Sequence, residues 1–222
     1  SLGVFLFHRE RIVATLAVSE TTKNWKRRQI QDCNMSSDVM TRFEGVEVTE
    51  NPRPPLEATP EQLLKMLKII ENDIIPLTEK GVETGNKMFG AAIIDSDFTC
   101  IHPDTNAESQ CPTFHAEVKC IVSWSENTPA KDRGPIAQSS IFLATHEPCM
   151  MCVSSILWGG WNKCWYFFGY QETSAQGIPH DINTMHELWG VNTYRKRNKY
   201  LSTSSIMEAI KELPDSDVKT EC

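Results

Sequence analysis

The pattern of apolar and polar positions predicts a first helix directly after a proline-rich stretch. In Thr59-Pro60-Glu61-Gln62, threonine can cap the first helical N–H groups, proline suits the first helical position, and glutamine completes a capping box. Apolar residues then recur at helical spacing up to Pro76, which predicts a helix that ends there. These apolar positions are Leu63, Leu67, Ile70 and Ile74.

Strand-like apolar runs alternate with helical repeats over the rest of the chain. Residues 89–95 predict a buried strand, and residues 98–101 predict its hairpin partner across a turn at Ser96-Asp97. Because strands alternate with helices after this hairpin, the pattern predicts an α/β layered domain with a mixed sheet. The other predicted strands are 140–145 and 164–168, and the other predicted helices are 113–124, 148–158, 181–189 and 204–213.

The first 58 residues differ in pattern from the rest. Charges interrupt their apolar run over residues 2–18, and a polar stretch leads to Asn51-Pro52-Arg53-Pro54-Pro55, which predicts an extended linker. We therefore expect three parts: an N-terminal extension over 1–58 that is poorly ordered or peripheral, a folded domain over 59–214, and a tail over 215–222.

Composition narrows the class of protein. With 40% hydrophobic residues the chain can build a core, which excludes wholesale disorder. Its apolar runs fall short of the roughly 20 residues of a membrane-spanning helix, and the run at residues 2–7 is too short for a secretory signal, so we expect no membrane partner. The net charge of −7 argues against a protein that mainly binds phosphate backbones.

Eight cysteines do not by themselves predict a disulfide framework. In a chain of this length with a normal core and no export signal, they favour a cytoplasmic protein with reduced thiols. Cys149 and Cys152 are the only close pair. In a reducing compartment such a pair indicates metal binding or redox chemistry.

Two short segments concentrate the residues that can bind a metal. Pro112-Thr113-Phe114-His115-Ala116-Glu117 opens one predicted helix, and Thr145-His146-Glu147-Pro148-Cys149-Met150-Met151-Cys152 runs from a strand end into another. Proline at the first helical position places Cys149 and Cys152 on one face of the first turn, at the spacing that two thiolates need to hold one zinc ion. The helix dipole favours both thiolates. His115, in the first turn of its own helix, gives a third ligand and leaves one tetrahedral position for water.

A carboxylate follows the histidine at a distance of two residues. Glu117 can stay off the metal, take a proton from the bound water and pass it to a substrate. The residues His115, Glu117, Pro148, Cys149 and Cys152 match the His-x-Glu and Pro-Cys-x-x-Cys signature of zinc deaminases.

With these motifs the sequence resembles the cytidine and deoxycytidylate deaminase superfamily, over roughly residues 60–170. Phe89-Gly90-Ala91 is similar to the family's Pro-Phe-Gly-Ala, and residues 112–117 are similar to its Asp-Pro-Thr-x-His-Ala-Glu, with Cys111 in place of aspartate. Histidine as first ligand, and Glu147 before the proline, resemble the branch with guanine deaminases, yeast-type cytosine deaminase and tRNA adenosine deaminases.

The resemblance implies a three-layer α/β/α domain, one zinc ion per chain and a homodimer or larger assembly. It also implies that zinc-bound hydroxide attacks the ring carbon that carries the amine, while Glu117 moves protons and ammonia leaves. The implied substrate contacts are a base-reading asparagine, hydrophobic residues beside the ring, backbone N–H groups and a C-terminal segment over the pocket. The matching positions are Asn106, Phe89, Phe114, Ala116 and Asp181. For Asp181 the first interpretation is a helix cap, and contact with the substrate is the second.

Other interpretations stay open. Zinc can be structural, closed by a fourth ligand such as Cys111, His146 or His102; the cysteine pair can be redox-active; or the fold can lack turnover. The basic run Tyr194-Arg195-Lys196-Arg197-Asn198-Lys199-Tyr200 is either a solvated segment or a contact for nucleic acid.

We therefore expect hydrolytic deamination of a free nucleobase, nucleoside or related amino-heterocycle. The acidic net charge favours a small-molecule substrate. The alternatives are a tRNA adenosine-to-inosine deaminase and a non-catalytic zinc-binding interaction module.

Overall fold

A computed structural model describes residues 52–214 of the 222-residue chain. Most of the expected N-terminal extension (1–58) and all of the expected tail (215–222) lie outside the described residues, so this division of the chain remains a prediction. No helix in the described part is long and apolar enough to cross a membrane.

The described region contains eight α-helices, one π-helical turn and five strands. The helices are α1 (Pro60–Ile69), α2 (Ile75–Glu83), α3 (Ala116–Asn127), α4 (Ala130–Ser139), α5 (Met150–Trp158), α6 (Tyr170–Ala175), α7 (His180–Trp189) and α8 (Ile206–Glu212), with the π turn (Ile70–Ile74) between α1 and α2. The strands are β1 (Gly90–Ile94), β2 (Cys100–Thr105), β3 (Ile141–His146), β4 (Lys163–Phe168) and β5 (Ser202–Ser205).

The strands form one mixed sheet in the order β2-β1-β3-β4-β5. Strand β1 is antiparallel to β2 and β3, whereas β3, β4 and β5 run parallel. Successive β1 residues point to opposite faces, and all five are buried, because helices cover both sides of the sheet.

Each face of the sheet has its own hydrophobic core. Ala92 and Ile94 pack with α1 and α8, whereas Ala91 and Ile93 pack with α3, α4 and α5. The fold is therefore a three-layer α/β/α sandwich with a mixed sheet, as predicted. The first core contains Leu63, Met66, Ile74, Leu143, Trp165 and Ile206; the second contains Ala116, Cys120, Trp124, Ala137, Phe142, Ile156, Trp161, Cys164 and Leu201.

The first helix begins at the predicted capping box. The Thr59 N–H donates to Gln62 Oε1 (2.8 Å), and the Gln62 N–H donates to Thr59 Oγ1 (3.3 Å). The prediction that this helix ends at Pro76 is wrong. The Ile75 N–H bonds to the carbonyl of Ile70, five residues back, and this widened π turn lets the chain continue helically through a proline that has no N–H to give.

The hairpin turns where predicted, but its second strand lies later than residues 98–101. Asp95 Oδ1 accepts hydrogen bonds from the N–H groups of Asp97 (2.9 Å) and Thr99 (2.8 Å), which fixes the turn. Phe98 belongs to the turn, with a φ of +60° that a strand cannot hold. Strand β2 then includes Pro103, which is tolerated because β2 is an edge strand.

Candidate metal centre and active site

Two helix N-termini bring the three predicted metal ligands together. His115 is the N-cap of α3 and Cys149 is the N-cap of α5, so the predicted starts of these helices, and with them the predicted first-turn positions, are wrong. Cys152 does lie in the first turn of α5. The ligand atoms of the three side chains lie within 4.8 Å of one another. An N-cap residue has extended backbone, which directs its side chain toward the positive end of the helix dipole.

The donor set fits a zinc ion. Two sulfurs and one imidazole nitrogen are the ligands that zinc prefers, and bond lengths of about 2.0–2.3 Å in a tetrahedron place neighbouring S and N atoms about 3.6 Å apart. Cys149 Sγ lies 3.5 Å from His115 Nδ1. Hydrogen bonding from Cys152 lowers the pKa of Cys149 to about 4, against the opposing effect of burial, and His115 contributes in the same direction. The cluster is thus already arranged around a thiolate.

The second nitrogen of His115 is held by a carboxylate that the motif does not contain. His115 Nε2 lies 3.0 Å from Glu108 Oε1, and Glu108 Oε2 lies 2.9 Å from Lys87 Nζ. A carboxylate on one ring nitrogen fixes the tautomer and the orientation of the ring. Sequence reasoning missed Glu108, because no local pattern marks it in the loop before α3.

Glu117 lies at the start of α3 with only 7% of its surface exposed. Burial raises its pKa to about 7, and the negative charge of Cys149 adds to this effect. It is the second residue of α3, two positions after the N-cap His115. A buried carboxyl group that can gain or lose a proton near neutral pH therefore lies beside the metal cluster.

The structure leaves the three candidates for a fourth protein ligand outside this cluster. Within residues 52–214, His115, Cys149 and Cys152 are the only metal-binding side chains grouped there. His146 is hydrogen-bonded to Thr145 Oγ1 (3.0 Å) and Gln176 Oε1 (3.3 Å). His102 Nε2 bonds with Ser123 Oγ (2.7 Å), and Cys111 Sγ lies 3.3 Å from Thr113 Oγ1.

Asn106 organises the loop beside the cluster and keeps one donor unused. Its Oδ1 accepts hydrogen bonds from the N–H groups of Glu108 (3.1 Å) and Lys87 (3.3 Å), and its own N–H donates to the carbonyl of Phe89 (2.9 Å). Its Nδ2 is buried without a hydrogen-bond partner among the described residues. A buried donor without an acceptor is costly, so this amide is suited to a ligand.

The predicted ring contacts lie close to the same residues. The ring of Phe89 packs edge-on against that of His146, with 4.7 Å between centroids. The Phe114 carbonyl accepts from the N–H of Ala107 (2.9 Å), next to Asn106. Ala116 is the first residue of α3 and fully buried, and N–H groups at this end of a helix have no partner within the helix.

Asp181 is not a helix cap. The N-cap of α7 is Pro179, and Asp181 is the second helical residue. Burial raises the pKa of Asp181 to about 6, the charge of Cys149 raises it further, and the charge of His115 opposes this.

The basic run is only partly solvated. Lys196 forms an ion pair with Glu147, whose side chain is 4% exposed, while Arg195, Arg197 and Lys199 are exposed. Four tryptophans between residues 158 and 189 also divide between the interior and the surface. Trp161 and Trp165 are core residues, whereas Trp158 is 87% and Trp189 49% exposed.

Comparisons with known proteins agree with the motifs. Residues 72–168 match the model of the cytidine and deoxycytidylate deaminase zinc-binding region. No curated protein matches the sequence.

Solved structures with some likeness are enzymes of nucleobases and nucleotides. Guanine deaminase from Bacillus subtilis is 22% identical with a TM-score of 0.43, over 62% of this chain and 85% of that one. Guanine deaminase from Nitrosomonas europaea is 14% identical with a TM-score of 0.45, over 72% and 82%. A structure from a study of tRNA:A34 deaminases is 16% identical with a TM-score of 0.38, over 59% and 92%.

The matched region contains the whole motif. His115, Glu117, Pro148, Cys149 and Cys152 all lie between residues 72 and 168, and the structure gathers the histidine and both cysteines at the ends of two helices. Residues 72–168 of this chain therefore form a cytidine and deoxycytidylate deaminase zinc-binding region.

Proposed function

We propose that this chain is a zinc-dependent aminohydrolase that releases ammonia from a free nucleobase, nucleoside or related amino-heterocycle. The observation that carries the proposal is the buried carboxylate of Glu117 in the first turn of α3, two residues after His115 of the three-ligand cluster. A structural zinc site needs no carboxyl group that exchanges its proton near neutral pH. A general acid–base reaction does.

The proposed roles follow from the chemistry of each side chain. His115, Cys149 and Cys152 would hold the ion, which would supply Lewis acidity and lower the pKa of a bound water molecule. Glu117 accepts one proton from that water and delivers it to the ring nitrogen as the oxygen bonds to the ring carbon. It then takes the remaining proton of the added hydroxyl and gives it to the amine, so that the C–N bond breaks, ammonia leaves and the ring carbonyl forms. Its pKa of about 7 suits a group that must act first as base and then as acid.

The proposed contacts with the substrate ring use groups around the cluster. Asn106 Nδ2, which is buried and unpaired, donates to a ring carbonyl or ring nitrogen. Phe89 and Phe114 flank the ring, and the backbone N–H of Ala116 orients it. Asp181, at the start of α7, accepts hydrogen bonds from a ring N–H or amino group.

Charges near the centre support a small substrate over a polynucleotide. Glu108 and Asp181 are acidic groups beside the metal cluster, and Lys87 is already paired with Glu108. Lys196, a cation of the basic run, is likewise paired with Glu147. Binding of a phosphate backbone depends on free cations.

The test is ammonia release by zinc-loaded protein from guanine, guanosine, cytosine, adenine, adenosine and a triazine. We expect turnover of at least one compound, and turnover about 10²- to 10⁴-fold slower by Glu117→Gln. Zinc-loaded wild-type protein that turns over none of them contradicts the small-substrate proposal. Inosine formation in a tRNA anticodon arm, steeply inhibited by salt, would favour the tRNA alternative, and inactivity on both classes would favour the non-catalytic module.

We also propose one zinc ion per chain and a homodimer. The three-ligand cluster supports the first part, and the large exposed surface of Trp158 on α5 supports a subunit contact. Metal analysis per chain and sedimentation equilibrium test the two parts separately.

A further inference from the structure

The ammonium group of Lys196 lies in a cage of three tyrosine rings and one carboxylate. Nζ is 4.6 Å from the ring centroid of Tyr194, 4.9 Å from that of Tyr166 and 5.3 Å from that of Tyr170. It also donates to the hydroxyl of Tyr166 (3.1 Å) and to the carboxylate of Glu147. Aromatic faces attract a cation, so ring contacts and an ion pair hold this lysine in place.

The carboxylate in this cage belongs to the segment that carries a metal ligand. Glu147 is separated from Cys149 by Pro148 alone. Its N–H donates to the carbonyl of Phe168 (2.7 Å), and its Oε2 accepts from the N–H of Tyr170 (3.2 Å).

The phenol of Tyr170 makes a further hydrogen bond to the same segment. It donates to the carbonyl of Pro148 (2.6 Å), directly before Cys149. Polar contacts therefore fix both residues between the end of β3 and the cap of α5.

The charge of Lys196 is needed to keep Glu147 where it is. Among residues 52–214, Lys196 is the one cation paired with Glu147. A buried carboxylate that loses its cationic partner is strongly destabilised, and it gains solvation by moving toward water. Glu147 and Cys149 lie on one short segment that hydrogen bonds hold in place. A movement of Glu147 therefore displaces the Cys149 thiolate from its 3.5 Å contact with His115 Nδ1.

We propose that Lys196 is a positioning residue for the metal centre: through Glu147 it holds Cys149 in the geometry that binds zinc. This inference rests on the ligand set of the proposed function. It gives a lysine of the basic run an internal role, 44 residues after the second cysteine of the motif.

The experiment measures zinc affinity of the purified folded protein by competition with a chromophoric chelator. Lys196→Met should weaken zinc binding about 10- to 100-fold, the usual effect of losing a partner one shell outside a metal ligand. Lys199→Met is the matched control, because Lys199 lies in the same run but is exposed. Its zinc affinity should equal that of the wild type.

Two further variants separate positioning from general destabilisation. Lys196→Arg keeps the charge and should recover most of the affinity. Adding Glu147→Gln to Lys196→Met removes the unpaired buried charge and should also recover affinity, which a merely structural lysine would not predict. Equal zinc affinity of the folded Lys196→Met and Lys199→Met proteins overturns the proposal.

If Lys196→Met does not fold, Tyr166→Phe takes its place. That variant removes one hydrogen bond to Nζ and keeps the ring, so it should weaken zinc binding a few-fold, and unchanged affinity overturns the proposal. A wild-type protein that binds zinc but releases no ammonia contradicts the proposed function alone, because the zinc measurement does not use turnover.

Discussion

Glu108 Oε1 lies 3.0 Å from His115 Nε2, on the side of the ring that faces away from Cys149. Since Nε2 is engaged there, Nδ1 carries the lone pair that faces the two sulfurs. A residue outside the recognised motif thus decides which nitrogen of the histidine is available to a metal.

Replacing this carboxylate should weaken metal binding. Glu108→Ala frees the imidazole to rotate and to change tautomer, so we expect zinc affinity to fall about 10-fold or more, as measured by chelator competition. Glu83→Ala, at an exposed glutamate on α2, is the control and should bind zinc like the wild type. Equal affinities of the two variants would show that Glu108 does not orient the ring.

Removing the acid–base group should separate catalysis from metal binding. Glu117→Gln keeps the shape of the side chain but cannot accept a proton, so kcat for ammonia release should fall about 10²- to 10⁴-fold. Zinc content should stay at the wild-type value, because Glu117 is not one of the three clustered ligands. A variant with normal turnover would assign the proton transfers to another group.

His146 should make the fold sensitive to acid. Burial lowers its pKa to about 4, below the roughly 6.5 of an unfolded histidine. Between these pH values the unfolded chain binds a proton that the folded chain does not. The folded state is therefore fully stable with respect to this group above about pH 6.5, and its unfolding free energy falls as the pH is lowered toward 4.

Denaturant unfolding of His146→Gln at several pH values tests this effect. Relative to the variant, the wild type should lose about 3 kcal/mol more of its unfolding free energy between pH 7 and pH 4. Any packing defect of the variant adds a constant offset and leaves this difference unchanged. Parallel curves for wild type and His146→Gln would contradict the assignment.

The capping box of α1 should contribute to stability. Thr59→Ala removes the side-chain acceptor of the Gln62 N–H and should lower the unfolding free energy by about 1 kcal/mol, with an unchanged denaturant m-value. Thr59→Ser retains the acceptor and should lose much less. If the alanine and serine variants are equally stable, solvent satisfies this helix end without the cap.

Local chemistry made much of the candidate site predictable. The spacings within His115-x-Glu117 and within Cys149-x-x-Cys152 each reflect what one helix start can present to a metal. The sequence alone therefore predicted the grouping of His115, Cys149 and Cys152. The capping box at Thr59 and the end of α7 at Gly190, which has a φ of +68°, are local in the same sense.

Contacts between distant segments could not be predicted in this way. Glu147 and Lys196 are 49 residues apart, and the sequence of neither segment predicts the other as its partner. Strand β5 is made of Ser202–Ser205, and it is buried because it pairs with β4 rather than because it is apolar. Helix α4 has little amphipathic pattern and contains Pro135.

The location of the histidine and one cysteine at helix caps has a mechanical consequence. Ala116, Cys120 and Ile156 lie in one buried cluster between α3 and α5, so the two helices behave as packed rigid rods whose ends carry the ligands. If the two helices slide past each other by about one ångström, the distances between the ligand atoms at their ends change by a similar amount. The arrangement of the ligands therefore depends on how the two helices pack. A substitution that creates a cavity in this core should change metal binding even when it lies far from the ligands.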